Sequence, residues 1–305
     1  MDTIAINVSQ FVKKYKDFTA VDGISFEVKR GEIFGLLGPN GAGKTSTLEC
    51  LEGLRAADGG SLSVNGIDPA RELHKLRDEI GVQLQAAGLP ESITPLEALK
   101  FFSAYHQVPP QLELFERLGL KEKQHTQFYE LSTGQQRRLA LALAVAHRPR
   151  VVFLDEPTAG LDVASRAELH AMLRELKAEG TTILLATHDM AEAEEMSDRV
   201  AILLKGKIAA IGTPLEITAT GAGLTRISVN TQNGSLLKEN PSIPGLVRSL
   251  VREDYGIYFS SDIGKSVAAI ITFVGAQGDT LIDLRVERPS LEDRFLELTN
   301  SGATQ

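Results

Sequence analysis

The sequence predicts an α/β protein with a mostly parallel central sheet, followed by a smaller α+β domain, and three observations carry that prediction. Short continuous apolar runs stand at 32–37 (EIFGLL), 151–154 (VVFL), 182–187 (TILLAT) and 200–204 (VAILL). Their length and continuity suit strands buried on both faces. Helical patterns lie between them, such as SRAELHAMLRELKAEG at 165–180, which stops on a glycine. Strands alternating with helices are the mark of a parallel sheet. Beyond Pro214 the texture changes to shorter, alternating segments.

Each remaining element follows from its own pattern. Residues 90–147 read as helices only, in PLEALKFFSAYH, PPQLELFERLGL and QQRRLALALAVAH. They are expected to form a helical insert between sheet strands. In the last third, TRISVN, YGIYFSS and TLIDLRVE alternate like half-exposed strands, and IGKSVAAIITFVGAQG has the length of a helix. A final helix, SLEDRFLELT, opens on Ser290 as N-cap with Asp293 three residues on. The expected organisation is a first domain over 1–214 and an accessory α+β domain over 215–305.

Composition bounds what such a chain can do. The net charge of −8 argues against a protein whose main task is to grip nucleic acid, because phosphate backbones demand a surplus of Lys and Arg. Cys50 is the only cysteine, so no intrachain disulfide forms and a reducing compartment is expected. No 18 consecutive residues are apolar; LALALAVA, the closest run, is flanked by Arg138 and by His147, Arg148 and Pro149. The first residues lack the basic-then-apolar order of a signal peptide. Any membrane role is therefore expected to come through a partner.

The segment GPNGAGKT, residues 38–45, directly follows the first apolar run and precedes the helical pattern KTSTLECLEGL. It fits G-x-x-x-x-G-K-[ST] through Gly38, Gly43, Lys44 and Thr45. Glycines let consecutive backbone N–H groups turn inward around an anion, and the helix that follows adds its positive end. The loop Gly38, Pro39, Asn40, Gly41, Ala42, Gly43, Lys44, Thr45 and Ser46 is thus a candidate nucleotide-phosphate site. Lys44 can reach β- and γ-phosphates, and the Thr45 hydroxyl can ligate Mg2+. In VVFLDEP, Asp155 stands where a buried strand ends, placed to hold Mg2+. Glu156 beside it is the candidate for polarising an attacking water.

LSTGQQRRLALALAVA, at 131–146, sets Ser132, Gly134 and Gln135 at a second helix start, about 20 residues before the acidic pair. A single triphosphate has no evident need of two anion-seeking helix ends. P-loop, second helix start and acidic pair, in this order, resemble the ATP-binding subunit of an ABC transporter, over about two-thirds of the chain. The resemblance implies the fold of a P-loop NTPase of the ABC type, with ATP and Mg2+ as ligands and ATP hydrolysis as the activity. It assigns Tyr15 to stacking on adenine, Gln85 to touching Mg2+ and sensing a membrane partner, Asp162 to communication across a dimer, and His188 to the γ-phosphate. Thr133 departs from the usual Leu-Ser-Gly-Gly-Gln, with Ser132 and Gly134, the residues expected to face phosphate, retained.

The same resemblance implies a head-to-tail pair of ATP-binding subunits, expected as a homodimer, in which the Lys44 loop of one copy and the Ser132 turn of the other close on one ATP. It also implies a separate membrane permease and a place on the cytoplasmic face of the membrane. RPSLEDRFLELT, at 288–299, is similar to the tail of ABC-2-type drug-export subunits, which favours export and implies that the tail aids dimerisation or regulates turnover. The alternative is an ABC-type ATPase acting on a ribosome or on DNA. Against it, only 85 residues separate Thr45 from Leu131, without sustained heptads, and the motifs occur once.

Overall fold

The structure is a computed structural model, and it describes residues 4–84, 88–219, 224–238, 242–287 and 289–301. The chain divides into two compact units, Met1–Thr213 and Pro214–Gln305.

In the first unit the apolar runs become β3 (Ile33–Leu37), β6 (Val151–Asp155), β7 (Thr182–Thr187) and β8 (Arg199–Leu204). With β5 (Ile80–Gln83) and β9 (Lys207–Gly212) they form a six-stranded sheet in the order β5-β6-β7-β3-β8-β9. Every pairing is parallel except β8 with β9. β3, β6 and β7 are buried along their whole length, which is why they read as continuous apolar runs. Because they run parallel, their C-terminal ends share one edge of the sheet, where α/β proteins place their sites.

A second sheet lies outside the sequence expectation. β1 (Ile4–Tyr15), β2 (Phe18–Lys29) and β4 (Gly59–Val64) pair antiparallel in the order β2-β1-β4. Alternate residues such as Ile24, Phe26 and Val28 point inward. They pack with α1 (Lys44–Leu51) on one side of the central sheet, where the Phe26 and Phe34 rings stack at 5.3 Å. The opposite side of that sheet is covered by α3 (Pro95–Tyr105), α4 (Glu113–Arg117), α5 (Thr133–Val145) and α6 (Val163–Ala178), with α2 (Leu73–Glu79) beside β5 and α7 (Met190–Met196) beside β3 and β7. Over 109–120 the expected helix shrinks to five residues, because PPQ cannot extend it backwards. Arg138, buried on α5, donates to the carbonyls of Leu118 and Gly134 and pairs with Glu168 of α6. One guanidinium thereby ties the helical segment to the start of α5.

The second unit holds α8 (Pro214–Ala219), β10 (Thr225–Thr231), α9 (Ser235–Lys238), β11 (Leu246–Arg252), β12 (Tyr255–Ser260), α10 (Ile263–Ala276), β13 (Leu281–Glu287) and α11 (Leu291–Ser301). Its four strands form an antiparallel sheet in the order β11-β12-β10-β13. β11 is the strand the sequence reading lacks. Ser290 and Asp293 exchange hydrogen bonds at the start of α11, each side chain accepting from the other's backbone N–H.

Candidate active site

The P-loop is built by backbone geometry that side chains would spoil. Gly41 and Gly43 take φ of +80° and +107°, and a Cβ on Gly43 would stand 2.6 Å from the Ala20 carbonyl oxygen. Only glycine tolerates both demands. Gly43 is also the N-cap of α1 and brings no side chain to the helix start. The first-turn N–H groups are left open to an anion. Gly38 faces inward, where a Cβ would meet the Leu203 carbonyl oxygen at 2.3 Å.

Within this loop Lys44 is buried, and its Nζ donates to the carbonyls of Gly38 at 2.7 Å and Pro39 at 3.3 Å. The Thr45 hydroxyl donates to Oδ2 of Asp155 at 2.8 Å, across 110 residues of sequence. Oδ1 of Asp155 is buried without a hydrogen-bond partner. Burial raises the Asp155 carboxyl above the usual carboxylate range; the Thr45 hydrogen bond and the Lys44 charge oppose that rise, and the Glu156 charge adds to it.

Glu156 holds a left-handed backbone, φ +50°, that a non-glycine residue rarely adopts. Its N–H donates to the Ala186 carbonyl at 2.9 Å, which fixes it to the neighbouring strand. Its two oxygens diverge: Oε1 lies 3.6 Å from Lys44 Nζ and Oε2 lies 2.8 Å from His188 Nδ1. His188, just beyond β7, exposes more than half of its side chain.

A cleft of about 420 Å3 is lined by Pro39, Asn40, Gly41, Gly43, Lys44, Thr45, Ser46 and Glu156, with Tyr15, Phe18 and Ala20, while Asp155 and His188 are tied to that lining through Thr45 and Glu156. The Tyr15 hydroxyl is 3.2 Å from Ser46 Oγ, and Lys13 and Arg55 stand over its ring at 5.3 and 5.6 Å. Phe18, three residues on, is the more exposed ring, and the sequence reading missed it. Ala42 is buried beneath the loop.

Other expected residues do not join this cleft. Ser132 caps α5 in a capping box with Gln135. Gly134 is buried against α6, where a Cβ would meet Ser165 Oγ at 2.8 Å. Only the smallness of glycine lets α5 and α6 approach at this point. Asp162 caps α6 by accepting from the N–H of Ser165 at 2.9 Å and its hydroxyl at 2.8 Å, bonds that hold its carboxyl below the usual carboxylate range. Gln85 lies outside the described residues.

Two further polar groups are buried nearby: Glu52, which the sequence reading passed over, and Gln83, the glutamine two residues before Gln85. Glu52 is buried at the end of α1 with Oε2 unpartnered, and burial, with the Asp155 and Glu49 charges, pushes its carboxyl up to about 8. Its position four residues after Leu48, on the buried face of α1, was the available signal. Gln83 is buried with both amide atoms unpartnered. Both line a second, largely apolar groove of about 450 Å3 between β5, α3 and α5.

Comparison with known proteins places this geometry. The ABC transporter family model matches residues 21–159. A daunorubicin resistance ATP-binding protein, DrrA3, of Streptomyces coeruleorubidus is 34% identical over 98% of this chain and 97% of its own length. The linearmycin resistance ATP-binding protein LnrL of Bacillus subtilis (strain 168) is 32% identical over 94% of this chain and 96% of its own. Among solved structures, a dimeric ATP-binding cassette in a post-hydrolysis state with ADP and Pi superposes with a TM-score of 0.64 at 25% identity, covering 68% of this chain and 98% of that one. Since the likeness extends from the P-loop segment across the full length, the chain belongs to the ATP-binding proteins of ABC transporters, and its activity is ATP hydrolysis.

Proposed function

We propose that the chain is the ATP-hydrolysing subunit of an exporter, working as a homodimer bound to the cytoplasmic side of a separate membrane permease. The observation that carries this reading is the division of its anion-seeking parts. Lys44, Thr45 and Glu156 line one cleft, with Asp155 hydrogen-bonded to Thr45 and His188 to Glu156, whereas among the described residues the Ser132–Gln135 turn is neither in that lining nor bonded to it. A second copy is then needed to cover the triphosphate. The dimeric cassette among the structural relatives supports the pairing. The resistance functions named for the two curated relatives support export. Among the described residues no helix is long and apolar enough to cross a membrane, in keeping with a separate permease.

In this reading the inward-turned N–H groups of the loop and Lys44 hold the β- and γ-phosphates. Lys44 exchanges its carbonyl partners for phosphate oxygens on binding. Tyr15 and Phe18 offer rings to the base. Thr45 and Asp155, whose buried Oδ1 has no other partner, suit a hard cation and would hold Mg2+ together with Gln85. Bound Mg2+ would supply charge neutralisation at the phosphates. Glu156 accepts hydrogen bonding from the attacking water, and His188 fixes the carboxylate and reaches the γ-phosphate. Hydrolysis removes the charge that bridges the two copies and lets them part. The Gln85 loop and the helical segment carry that motion to the permease.

The test begins with the neighbouring reading frames. A membrane protein of about six spans, each needing about 20 apolar residues, should copurify with the chain and raise its ATPase rate in vesicles. A neighbour that binds ribosomes or DNA and not membranes would refute the exporter assignment while leaving the ATPase intact.

A further inference from the structure

We infer that β13 is a pairing edge, through which two copies of this chain join their C-terminal sheets antiparallel into one eight-stranded sheet. β13 is the last strand in the order β11-β12-β10-β13 and, among the described residues, pairs on one side only, with β10. Its outer side therefore presents a row of backbone groups for another strand. The strand is seven residues long without proline, its register against β10 shifts at Ile282, and Leu281, Ile282 and Val286 are exposed, Ile282 at 62%.

What identifies the occupant as a second copy is the order of side chains in LIDLRVE. Laid antiparallel on itself about Leu284, the strand opposes Ile282 to Val286, Asp283 to Arg285 and Leu284 to Leu284. These three central pairs match in chemistry, while the end pair sets Leu281 against Glu287, and two-fold symmetry makes each off-centre match twice. Leu284 and Val286, opposite Val229 and Ile227 of β10, share one face, the face on which Leu284 packs into the core with Ile270 and Val274 of α10. Two copies would extend that core as a continuous apolar row. On the other face Asp283 accepts from Arg285 Nε at 2.7 Å and from the Tyr255 hydroxyl at 2.9 Å, both through Oδ2. A facing strand would close this pair and its own into a ring of alternating charge.

The other free edge, β11, makes a poorer match. Paired on itself about Ser249, LVRSLVR sets Arg248 against Leu250 and Arg252 against Leu246. Arg248 is moreover held over the Phe259 ring at 4.1 Å. A one-residue slip in β13 would move its apolar row to the wrong face, so the register is fixed by burial.

This contact does not depend on the nucleotide sandwich, and the experiment separates the two. Sedimentation equilibrium on the full chain without nucleotide should show a concentration-dependent dimer. Asp283→Arg alone and Arg285→Asp alone each set like charges opposite one another at two symmetric places, and should weaken that dimer on the order of tenfold or more. The double variant Asp283→Arg/Arg285→Asp restores opposite charges and should recover it to within about threefold. Mixing the two single variants sets an all-basic strand against an all-acidic one and should yield a heterodimer, a result that misfolded chains cannot give. Three results would each overturn the proposal: a wild-type chain monomeric without nucleotide, single variants that dimerise like wild type, or a mixture that stays unpaired. Association that appears only with Mg-ATP in Glu156→Gln belongs to the sandwich and also counts against the strand contact.

Discussion

Nδ1 of His188 lies 2.8 Å from one oxygen of Glu156 while the other oxygen of that carboxylate lies 3.6 Å from Nζ of Lys44. One carboxylate thus joins the residue after β7 to the first residue of α1, and its strained backbone is held by the Ala186 carbonyl. Replacing Glu156 by Gln keeps size and hydrogen bonding but removes the charge that polarises water. Turnover should fall by about 10² to 10⁴, with ATP affinity retained. Phosphate release and equilibrium binding of a fluorescent ATP analogue, measured on the same preparation, check both halves.

His188→Ala frees Oε2 of Glu156 and should reduce turnover while KM for ATP changes little, since the residue stands beside the carboxylate and outside the phosphate loop. A rise in KM with unchanged kcat would instead make His188 a simple binding group.

Gly43→Ala and Gly41→Ala separate two kinds of cost. Both glycines have positive φ, but a Cβ at Gly43 meets the Ala20 carbonyl oxygen at 2.6 Å while one at Gly41 meets nothing within 4 Å. Thermal unfolding should show Gly41→Ala losing on the order of 1 kcal/mol and Gly43→Ala clearly more. Equal losses would mean that backbone strain alone governs both sites.

Glu52 makes stability depend on pH in a defined window. Its folded carboxyl is pushed from the ordinary 4.5 to about 8, so the folded chain holds the proton more tightly than the unfolded one. The stabilising contribution is present in full below about 4.5 and is lost as pH rises to about 8. Glu52→Gln removes the ionisable group, so its unfolding free energy should exceed that of wild type at pH 8, by an amount on the order of a few kcal/mol. The difference should shrink toward pH 4.5. Denaturant unfolding of both chains across that range measures it.

His147 acts in the opposite direction. Its ring is stacked on His106 at 3.8 Å, with Nε2 3.0 Å from the Ile80 carbonyl oxygen, and burial first, then the His106 charge, lowers it from 6.5 to about 4. A lowered base favours the neutral folded form, so its contribution is present above 6.5 and lost as pH falls toward 4. His147→Gln should flatten the acid limb of the stability curve in that interval and leave the alkaline limb to Glu52.

Where a residue's role follows from local chain geometry, it was legible early. The glycines of GPNGAGKT, the buried strand before them and the helix after them are neighbours in sequence, so their arrangement needs no knowledge of the rest of the fold. The strands β3, β6, β7 and β8 were legible for a related reason: burial on both faces leaves a continuous apolar run. β1 and β2 were not, because only alternate residues face the core and Asp22–Gly23 breaks the alternation in β2. Likewise Glu52 looked like an ordinary charged helix residue until α1 was packed against the sheet.

The sequence by itself determined the kinds of group present and their local settings: a phosphate-cradling loop, an acidic pair closing a strand, and a second helix start at Ser132. Only the tertiary structure decided that Thr45 reaches Asp155 across 110 residues, that Glu156 bridges Lys44 and His188, and that β13 lies at an edge. The physical reason is that local conformation depends on steric and hydrogen-bonding preferences of a few adjacent residues. Long-range contact depends instead on which strand lies beside which, and parallel order is set by the packing of the whole sheet.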